Sequence, residues 1–362
     1  MSQKQRDGMN YAPVGEARAV VKPGEFQVAA MHLDHGHIAG MCNGLVEAGA
    51  TLKWVYDPRP ERAAAFAAAY PGVAIARSEA EVFDDPDINL VAAAAVTNER
   101  APLGIRAMQA GKDYFTDKAP LTTLEQLADV KATVAASGRR YWCYFSERLH
   151  VEAAILAGYL IEEGRIGRVL QVTGFGPHTL NASSRPPWFF NREQYGGILC
   201  DIGSHQIEQF LYYAGVDDAE VVSAHIANHN HPEYPELEDF GEAILRAANG
   251  ATQYFRVDWF SPDGLDTWGD GRTFILGTDG YIELRKYTDI ARGRGNQLFV
   301  VDHKGMEQID ANGKTGYPFF GQLILDSLNR TETAMTQDHI FAAARLCVEA
   351  QNAAVRLPSN PV

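Results

Sequence analysis

Apolar and polar positions alternate in two different ways along the chain, and the change falls near Phe145. From Phe26 onward, short apolar runs rich in β-branched and aromatic residues are separated by alanine-rich segments with helical spacing. The runs are FQVAAM, TLKWVYD, INLVAAAAV, KDYF and RYWCYF, and the helical segments include PERAAAFAAAY and TTLEQLADVKATVAAS. Strands that alternate with helices predict a doubly wound parallel sheet, in which ligands bind at the carboxyl ends of the strands.

After a linking helix predicted near residues 148–163, strand-like runs follow one another with turn signals between them. The runs are RVLQVTGFG, EVVSAHIAN, FGEAILRA, ATQYFRVDWF, RTFILGT and GYIELRKY, and the turn signals include ANG, PDG and TDG. This pattern predicts a large, mostly antiparallel open sheet. One helix near 200–214 interrupts it, and a last helix near 337–354 closes the chain. The predicted fold class is therefore α/β, with a parallel sheet first and an α+β domain second.

Length, charge and cysteine content limit the kinds of partner that we expect the chain to bind. The chain has 362 residues, enough for two domains, and its 32 Lys+Arg against 46 Asp+Glu give a net charge of -14. This charge repels nucleic acid and anionic membrane surfaces. Four cysteines without a CxxC pair suit reduced thiols. Because no apolar run approaches the ~18 residues of a membrane span, we expect a cytoplasmic protein with a disordered or docking N-terminal arm.

The turn after the first strand lacks the glycines of a dinucleotide site. Gly-x-Gly-x-x-Gly normally stands there, because glycines let backbone N–H groups approach the pyrophosphate. Counted from the strand, the three positions hold His32, Asp34 and His37, and Gly36 lies between them. The second strand nevertheless ends in WVYDP, which places Asp57 where a carboxylate accepts the ribose hydroxyls of NAD. The surroundings of the motif predict a nucleotide site although the motif itself does not.

The same turn, HLDHGH, also offers the side chains that bind catalytic zinc. Further ligands would have to come from downstream, where HIANHNHPEYPELED supplies His225, His229 and His231. Histidines in such a turn-rich polar segment are more often solvated loop residues. We therefore expect no metal, and a metal-dependent hydrolase that uses this turn stays open as an alternative.

Two further stretches suggest proton transfer. GKDYFTDKAPLTTLEQL places Lys118 just past the fifth strand, where a lysine can hold a substrate hydroxyl or move its proton, although an ordinary lysine is a surface charge. YGGILCDIGSHQIEQFLYYAG places Asp201 and His205 four residues apart on one helical face, behind two glycines. A histidine there can exchange a proton with a hydroxyl near neutral pH, and the carboxylate can orient it.

These stretches resemble the glucose-fructose oxidoreductase and inositol dehydrogenase family, usually called Gfo/Idh/MocA. The resemblance runs from about Phe26 to Ala354 and rests on VYDPRPERAAAFA, DKAPLTTLEQ, SERLH and above all GGILCDIGSHQIEQF. The last is similar to the family's Gly-Gly-x-x-x-Asp-x-Gly-x-His signature. The resemblance implies an N-terminal Rossmann domain that binds NAD(P), and a C-terminal domain whose open sheet carries substrate on one side and a dimer or tetramer partner on the other.

By this resemblance, Lys118 matches the lysine of the family's Glu-Lys-Pro motif, and Asp201 and His205 match the polar residues of the signature. The chain departs from the family pattern at Asp117, which replaces the glutamate, and at Ala119, which replaces a proline that commonly follows a cis peptide. Because alanine lacks proline's low cost for a cis bond, the path around Lys118 is expected to differ. A carboxylate at position 34 is expected to place a negative charge near the phosphates.

The predicted domains are an N-terminal arm at 1–24, a Rossmann domain at 25–147, a substrate and oligomerisation domain at 148–336, and a C-terminal helix and tail at 337–362 that pack back on the N-terminal domain. The predicted catalytic residues are Lys118, Asp201 and His205. The predicted cofactor-binding residues are His32, Asp34, His35, Gly36, His37, Asp57, Arg59, Thr97, Asn98, Asp117 and Lys118. Loops rich in aromatic and polar side chains suit a carbohydrate, and the substrate-binding residues predicted from them are His178, Arg185, Trp188, Arg192, Tyr195 and Trp268.

The predicted function is the interconversion of a secondary alcohol and a ketone on a sugar, inositol or related polyol. The cofactor is expected to be NAD, with NADP as the second choice, and the assembly a homodimer or homotetramer. Three alternatives remain open: elimination or hydrolysis of a sugar or glycoside with redox assistance or without cofactor, the metal-dependent hydrolase, and a non-catalytic ligand sensor.

Overall fold

The computed structural model describes residues 8–13, 15 and 18–358. The chain divides into two compact units. The first, called the Rossmann unit below, comprises Met9–Tyr144 and Gly316–Phe341. The second, called the C-terminal unit, comprises Gly8, Phe145–Thr315 and the residues from Ala342 onward.

Strands and helices alternate in the first part of the chain, and strands dominate the second part, as the pattern of apolar and polar positions predicts. The strands are β1 Gln27–Met31, β2 Thr51–Tyr56, β3 Ala74–Ile75, β4 Ile88–Ala93, β5 Asp113–Asp117, β6 Tyr141–Tyr144, β7 Val169–Pro177, β8 Glu220–Ala227, β9 Phe240–Arg246, β10 Thr252–Asp258, β11 Arg272–Gly277, β12 Gly280–Arg285, β13 Gln297–Asp302, β14 Gly305–Asp310 and β15 Val355–Arg356. The helices are α1 His37–Glu47, α2 Pro60–Ala69, α3 Glu79–Phe83, α4 Arg100–Gln109, α5 Leu124–Ser137, α6 Ser146–Leu149, α7 Glu152–Glu162, α8 Arg192–Tyr195, α9 Ile198–Asp201, α10 Gly203–Ala214, α11 Pro318–Asn329 and α12 Gln337–Ala353.

In the Rossmann unit, the six strands of the described chain form one parallel sheet in the order β3-β2-β1-β4-β5-β6. This doubly wound order reverses between β1 and β4, which is where ligands bind in such sheets. Helices cover both faces of a parallel sheet, so its central strands read as continuous apolar runs, and INLVAA in β4 is of this kind. The carboxyl ends of β1, β2, β4 and β5 therefore bring the segments after Met31, Tyr56, Ala93 and Asp117 to one edge.

The N-terminal segment lies along α1. A Cβ on Gly36 would come within 2.2 Å of Asn10 Oδ1, and one on Gly40 within 3.5 Å of the Ala12 Cα. Tyr11 is buried in the same place, and burial raises the pKa of its phenol. Asn10 and Ala12 therefore pack on the Rossmann unit, whereas Gly8 belongs to the C-terminal unit. Residues 1–7, 14, 16 and 17 of that arm lie outside the described residues.

In the C-terminal unit, nine strands of the described chain form a sheet in the order β14-β13-β12-β11-β7-β10-β9-β8-β15. Neighbours run antiparallel except at β7–β10 and β8–β15, so the prediction of a mostly antiparallel sheet is confirmed. Helix α10 lies against β7, where a Cβ on Gly174 would come within 2.2 Å of Gln206 Oε1. The sheet leaves the apolar side chains of Ile244, Phe274 and Leu276 partly exposed.

The C-terminal tail differs from the prediction. Residues 337–362 were expected to pack on the N-terminal domain, but the residues from Ala342 onward belong to the C-terminal unit. The reason is strand pairing, since Val355 in β15 pairs with His225 in β8 and so extends the nine-stranded sheet. Helix α11, which the sequence did not predict, joins the Rossmann unit instead, where the Phe320 ring fills the space that a side chain on Gly44 would need.

Candidate functional site

The turn between β1 and α1 replaces glycines with side chains that have partners of their own. His32 has φ 50°, the left-handed backbone that glycine usually supplies, and its Nε2 lies 2.6 Å from Glu79 Oε1. Asp34 forms ion pairs with Arg59 and Arg62. Two guanidinium groups thus neutralise the carboxylate, which removes the expected repulsion between Asp34 and a phosphate.

Asp57 follows β2 at the predicted place. Its Oδ2 accepts a hydrogen bond of 2.7 Å from the backbone N–H of Leu33, and its Oδ1 accepts one of 2.9 Å from the backbone N–H of Arg59. The carboxylate thereby ties the turn after β1 to the turn after β2. Arg59 Nε also donates to Oδ1 at 3.3 Å, so it is Oδ2 that keeps a second lone pair, which is what a ribose hydroxyl would need.

The residues beyond β4 fit a nucleotide as well. Thr97 and Asn98 begin a short 3₁₀ turn, and within the described chain the buried Oδ1 of Asn98 has no hydrogen-bond partner. A cavity of about 360 Å³ lies between this turn and the end of β2, and Asp34, Arg59 and Val96 are among its lining residues. A carboxylate at the end of β2, an open cavity and an amide oxygen in need of a donor together fit the adenosine half of NAD.

Asp117 ends β5 and is the centre of a buried hydrogen-bond network. Its Oδ1 lies 2.9 Å from His37 Nδ1 and its Oδ2 lies 3.1 Å from His35 Nδ1. Arg100 Nη2 donates to Oδ2 at 3.1 Å, and the backbone N–H of Lys118 donates to Oδ1 at 2.8 Å. Burial would raise the pKa of this carboxyl, but His37, Arg100 and His35 hold it well below its usual range. Asp117 is therefore an anion with four donors around it.

Lys118 follows directly, and its backbone is held on both sides. The Arg100 guanidinium donates to the carbonyl oxygens of Lys118 and Ala119. The Lys118–Ala119 peptide bond is cis, so the expectation that alanine would change the path here is wrong. Lys118 itself is only 5% exposed.

A metal site is the other interpretation of this network. One ligand atom from each of His35, His37 and Asp117 lies within 4.8 Å of the others. The Arg100 guanidinium on the same carboxylate would repel a cation, however, and both imidazoles already reach the carboxylate at hydrogen-bond distance. Burial, followed by the His37 charge, lowers the pKa of His35 to about 3. Hydrogen bonding therefore accounts for the arrangement. Two of the three downstream histidines have carboxylate partners of their own, since His225 pairs with Glu242 and His231 with Asp239. The His229 ring lies against Phe240.

In the C-terminal unit, Asp201 and His205 do not share one helix. Asp201 ends α9, and His205 lies in the first turn of α10, with Ile202 between the two helices. Gly196 and Gly197 before them have φ 87° and 93°, which only glycine adopts readily. His205 is 2% exposed and Asp201 8%, so both side chains are buried.

Glu147, which the sequence did not single out, lies beside the predicted histidine. Its Oε2 accepts 2.8 Å and 3.0 Å hydrogen bonds from Lys286 Nζ and Gln206 Nε2, whereas its buried Oε1 has no partner in the described chain. Burial would raise the pKa of Glu147, but the positive charges of Lys286, His205 and His178 lower it to about 2. A fixed anion therefore lies next to two histidines.

We expect Glu147→Gln to destabilise the fold by about 3–5 kcal/mol, because it leaves the Lys286 ammonium buried without its counter-ion. The folded pKa of about 2 lies below the ~4.3 of an unfolded glutamate. The contribution of the carboxylate to stability is thus present above pH ~4.3 and lost as the pH falls toward 2. Urea unfolding at several pH values measures both effects. Glu162→Gln, on the exposed part of α7, is the control, and equal stability of Glu147→Gln and the control would contradict the prediction.

Five of the six predicted substrate-binding residues meet in one aromatic cluster. The His178 ring centroid lies 4.4 Å from that of Trp268 and 5.5 Å from that of Trp259. The Arg185 guanidinium stacks over Phe189 at 4.6 Å and over Trp259 at 5.1 Å. Trp188 joins through Phe189. The charges of His178 and His205 both lower the pKa of Glu147, so the cluster and His205 act on the same carboxylate.

Arg192 and Tyr195 both contact Glu238, and the Tyr195 ring also stacks on Phe189 of the aromatic cluster, with ring centroids 6.0 Å apart. Arg192 Nε donates to Glu238 Oε1 at 3.1 Å, and the Tyr195 hydroxyl accepts the Glu238 N–H at 3.0 Å. These contacts brace the segment before β9. A role of the two side chains in substrate binding stays a prediction.

Two models of known protein families match the chain. A family model described as an oxidoreductase family with an NAD-binding Rossmann fold matches residues 26–145. A second, described as the GFO/IDH/MocA C-terminal domain, matches residues 156–283. Among the described residues, no helix is both long and apolar enough to cross a membrane.

Two curated relatives and one solved structure are similar to the chain. D-xylose dehydrogenase of Paenarthrobacter nicotinovorans is 28% identical over 193 residues, which are 52% of this chain and 48% of that relative. The chain thus spans about half the length of this relative. scyllo-Inositol 2-dehydrogenase (NAD(+)) of Bacillus subtilis is 27% identical over 70% of this chain and 72% of its own. The crystal structure of a candidate oxidoreductase from Erwinia carotovora atroseptica matches this chain with a TM-score of 0.90. The two sequences are 48% identical, and the match covers 92% of this chain and 100% of that one.

Proposed function

Since the chain belongs to the Gfo/Idh/MocA family of oxidoreductases, we propose that it is an NAD-dependent dehydrogenase of a sugar, inositol or related polyol. It would interconvert a secondary alcohol and a ketone. The observation that carries the proposal is Lys118, a buried lysine held at the carboxyl end of β5 through its own backbone. Relatives whose names specify D-xylose and scyllo-inositol support this class of substrate.

The Rossmann unit would hold the cofactor. Asp57 is proposed to accept the adenosine ribose hydroxyls, and Asn98 to accept a donor from the nucleotide with its amide oxygen. Arg59 and Arg62 keep Asp34 neutralised beside the phosphates. When bound, NAD supplies the hydride acceptor at C4 of its nicotinamide. NADP is the less favoured cofactor, because the Asp57 carboxylate repels its 2′-phosphate.

The chain's own residues would handle the proton. Oxidation of a secondary alcohol removes a hydride from carbon and a proton from the hydroxyl, and the proton needs an acceptor. We assign this role to His205, whose imidazolium form the neighbouring Glu147 carboxylate would stabilise. The Lys118 ammonium is proposed to hold the substrate oxygen, and Asp201 a neighbouring hydroxyl.

The aromatic cluster would select the substrate. The faces of Trp259 and Trp268 suit the apolar face of a sugar or cyclitol ring, and His178 and Arg185 offer hydrogen-bond donors at their edges. This combination favours a ring with many hydroxyls over a simple aliphatic alcohol.

We expect the purified protein to bind NADH at micromolar concentrations and NADPH about tenfold more weakly, since a carboxylate and a 2′-phosphate repel each other. Asp57→Asn removes the negative charge and should bring the two affinities together. Fluorescence titration measures both, with metal analysis of the same sample. Asp129→Asn, on the exposed side of α5, should keep the wild-type preference. Absence of binding for either nucleotide in the wild type would overturn the proposal and favour metal chemistry or ligand sensing.

Net NADH formation separates the dehydrogenase from its closest alternative. A family member that oxidises its substrate only transiently, in order to eliminate or hydrolyse a glycoside, regenerates its cofactor in each cycle. Such an enzyme would consume substrate without net change at 340 nm, the NADH absorbance band used in the standard assay for nicotinamide cofactors. A dehydrogenase accumulates NADH in proportion to the ketone formed.

Copies of the chain are proposed to assemble into a homodimer or homotetramer through the open face of the nine-stranded sheet. Support comes from Ile244, Phe274 and Leu276, which leave part of their apolar surface on this sheet exposed in the single chain. A cytoplasmic location is proposed from the reduced character of the four buried cysteines.

A further inference from the structure

Two histidines of the β1–α1 turn reach the carboxylate that precedes the proposed active-site lysine. His35 and His37 stand in the turn where a dinucleotide fold usually has glycine, whereas Asp117 ends β5. Nevertheless both ring Nδ1 atoms lie within 3.1 Å of the Asp117 oxygens. All three side chains are buried, with 5%, 7% and 0% of their surface exposed. A glycine turn has no side chains that could make these contacts.

Asp117 transmits this restraint to Lys118. Its Oδ1, which His37 contacts, also accepts the Lys118 backbone N–H at 2.8 Å. Its Oδ2, which His35 contacts, also accepts from Arg100, and Arg100 in turn donates to the carbonyls of Lys118 and Ala119. The amide before the Lys118 side chain and the carbonyls after it are thus fixed by one network, and the histidines anchor that network to the turn.

Histidine is well suited to this task. A buried carboxylate keeps its charge only where donors surround it, and an imidazole brings a ring N–H to it on a compact side chain. Loss of one donor would leave an acceptor of Asp117 unsatisfied, so the carboxylate would turn toward other donors or water. Either movement releases the Lys118 N–H.

We propose that His35 and His37 are positioning residues for Lys118, acting through Asp117. The expected effect of this role on catalysis rests on the proposed dehydrogenase function, whereas its expected effect on the structure does not. The turn after β1, which has histidines where such folds usually have glycines, thereby links the cofactor-binding loop to Lys118. In this role the histidines neither ligate a metal nor contact the phosphates.

Amide hydrogen exchange followed by mass spectrometry tests the structural part without substrate or cofactor. In His37→Ala, the peptide containing residues 117–119 should exchange about tenfold to a hundredfold faster than in the wild type, because a charge-assisted hydrogen bond is lost. His37→Asn, whose side-chain amide keeps a donor, should restore most of the protection. His339→Asn, on α12 of the same unit, is the control. Unchanged exchange in His37→Ala would overturn the proposal.

Kinetics test the functional part. His37→Ala and His35→Ala should each lower kcat by about tenfold or more and leave the Kd of NADH within about threefold, and His37→Asn should recover kcat. A loss of NADH affinity with unchanged kcat would assign the histidines to the phosphates instead. Stoichiometric metal in the wild type, absent from both alanine variants, would make them ligands.

If His37→Ala fails to fold, His37→Asn decides, since it must match the wild type in both exchange and kcat. If the wild type binds no NADH, the proposed function fails, whereas the exchange result still stands or falls by itself.

Discussion

His205→Ala is expected to lower kcat by about 10²–10⁴-fold, the usual contribution of a positioned proton acceptor. The imidazole is buried, and the anionic Glu147 favours the protonated form that results from oxidation. The cofactor residues lie on the Rossmann unit, so the Kd of NADH should change by less than about threefold. Initial rates of NADH formation with a polyol, together with an NADH titration of the same sample, measure both quantities.

His225→Ala provides a matched control for this result. His225 belongs to the same unit, lies on β8 with its ring partly exposed, and pairs with Glu242, so its loss should leave turnover near the wild-type value. Normal turnover in His205→Ala would remove the histidine from the mechanism. Parallel loss of kcat and of the melting temperature would instead make its role structural.

Lys118→Met should have an effect of similar size, about 10²–10⁴-fold in kcat. Methionine fills much of the space of the lysine stem but has no charge and no donor, so the substrate oxygen would lose its proposed partner. The backbone contacts of Lys118 with Asp117 and Arg100 do not involve the side chain and should persist. The measurement is again kcat against the Kd of NADH, with circular dichroism to verify the fold.

Lys131→Met, on the exposed side of α5, controls for the loss of a positive charge in the same unit. Combining Lys118→Met with His205→Ala then shows whether the two residues act in one step. Groups that act as a unit give a double variant scarcely slower than the worse single one. Multiplicative losses would mean that the two side chains assist different steps, and an active Lys118→Met would exclude the lysine from the chemistry.

Most of the architecture follows from local pattern. The apolar runs predict the central strands of both sheets. Thr123 and Gly138 cap the start and the end of α5, as the capping preferences of helices require. The less predictable elements were β13, β14 and α11. Strand β14, GMEQID, is exposed over most of its length and pairs only with β13 among the described strands, and α11 packs on Gly44 of α1, which is distant in sequence. The split between α9 and α10 also escaped prediction, because four-residue spacing is satisfied by an unbroken helix as well.

The site was predictable where a residue's place on a strand determines its role. Asp57 and Lys118 follow strand ends, and parallel strands bring such ends together. Glu147 stands in SERLH, but its contact was not predictable, because its partner Lys286 lies 139 residues away and stands in no recognisable motif. The contact of His37 with Asp117 spans 80 residues. Sequence pattern shows that these residues are polar, but only the fold shows which of them are buried together.

The glycines near the start of α1 also bear on how the chain can be shortened. Gly36 and Gly40 leave room for Asn10 and Ala12, and Tyr11 is buried between these contacts. A shortened protein that begins at Phe26 would expose this groove, and with it the apolar flank of the helix, to solvent. We infer that such a truncation would lower solubility and loosen the turn that carries the histidines. Residues 9–12 thus belong to the packing of the Rossmann unit, and expression of that unit alone should retain them.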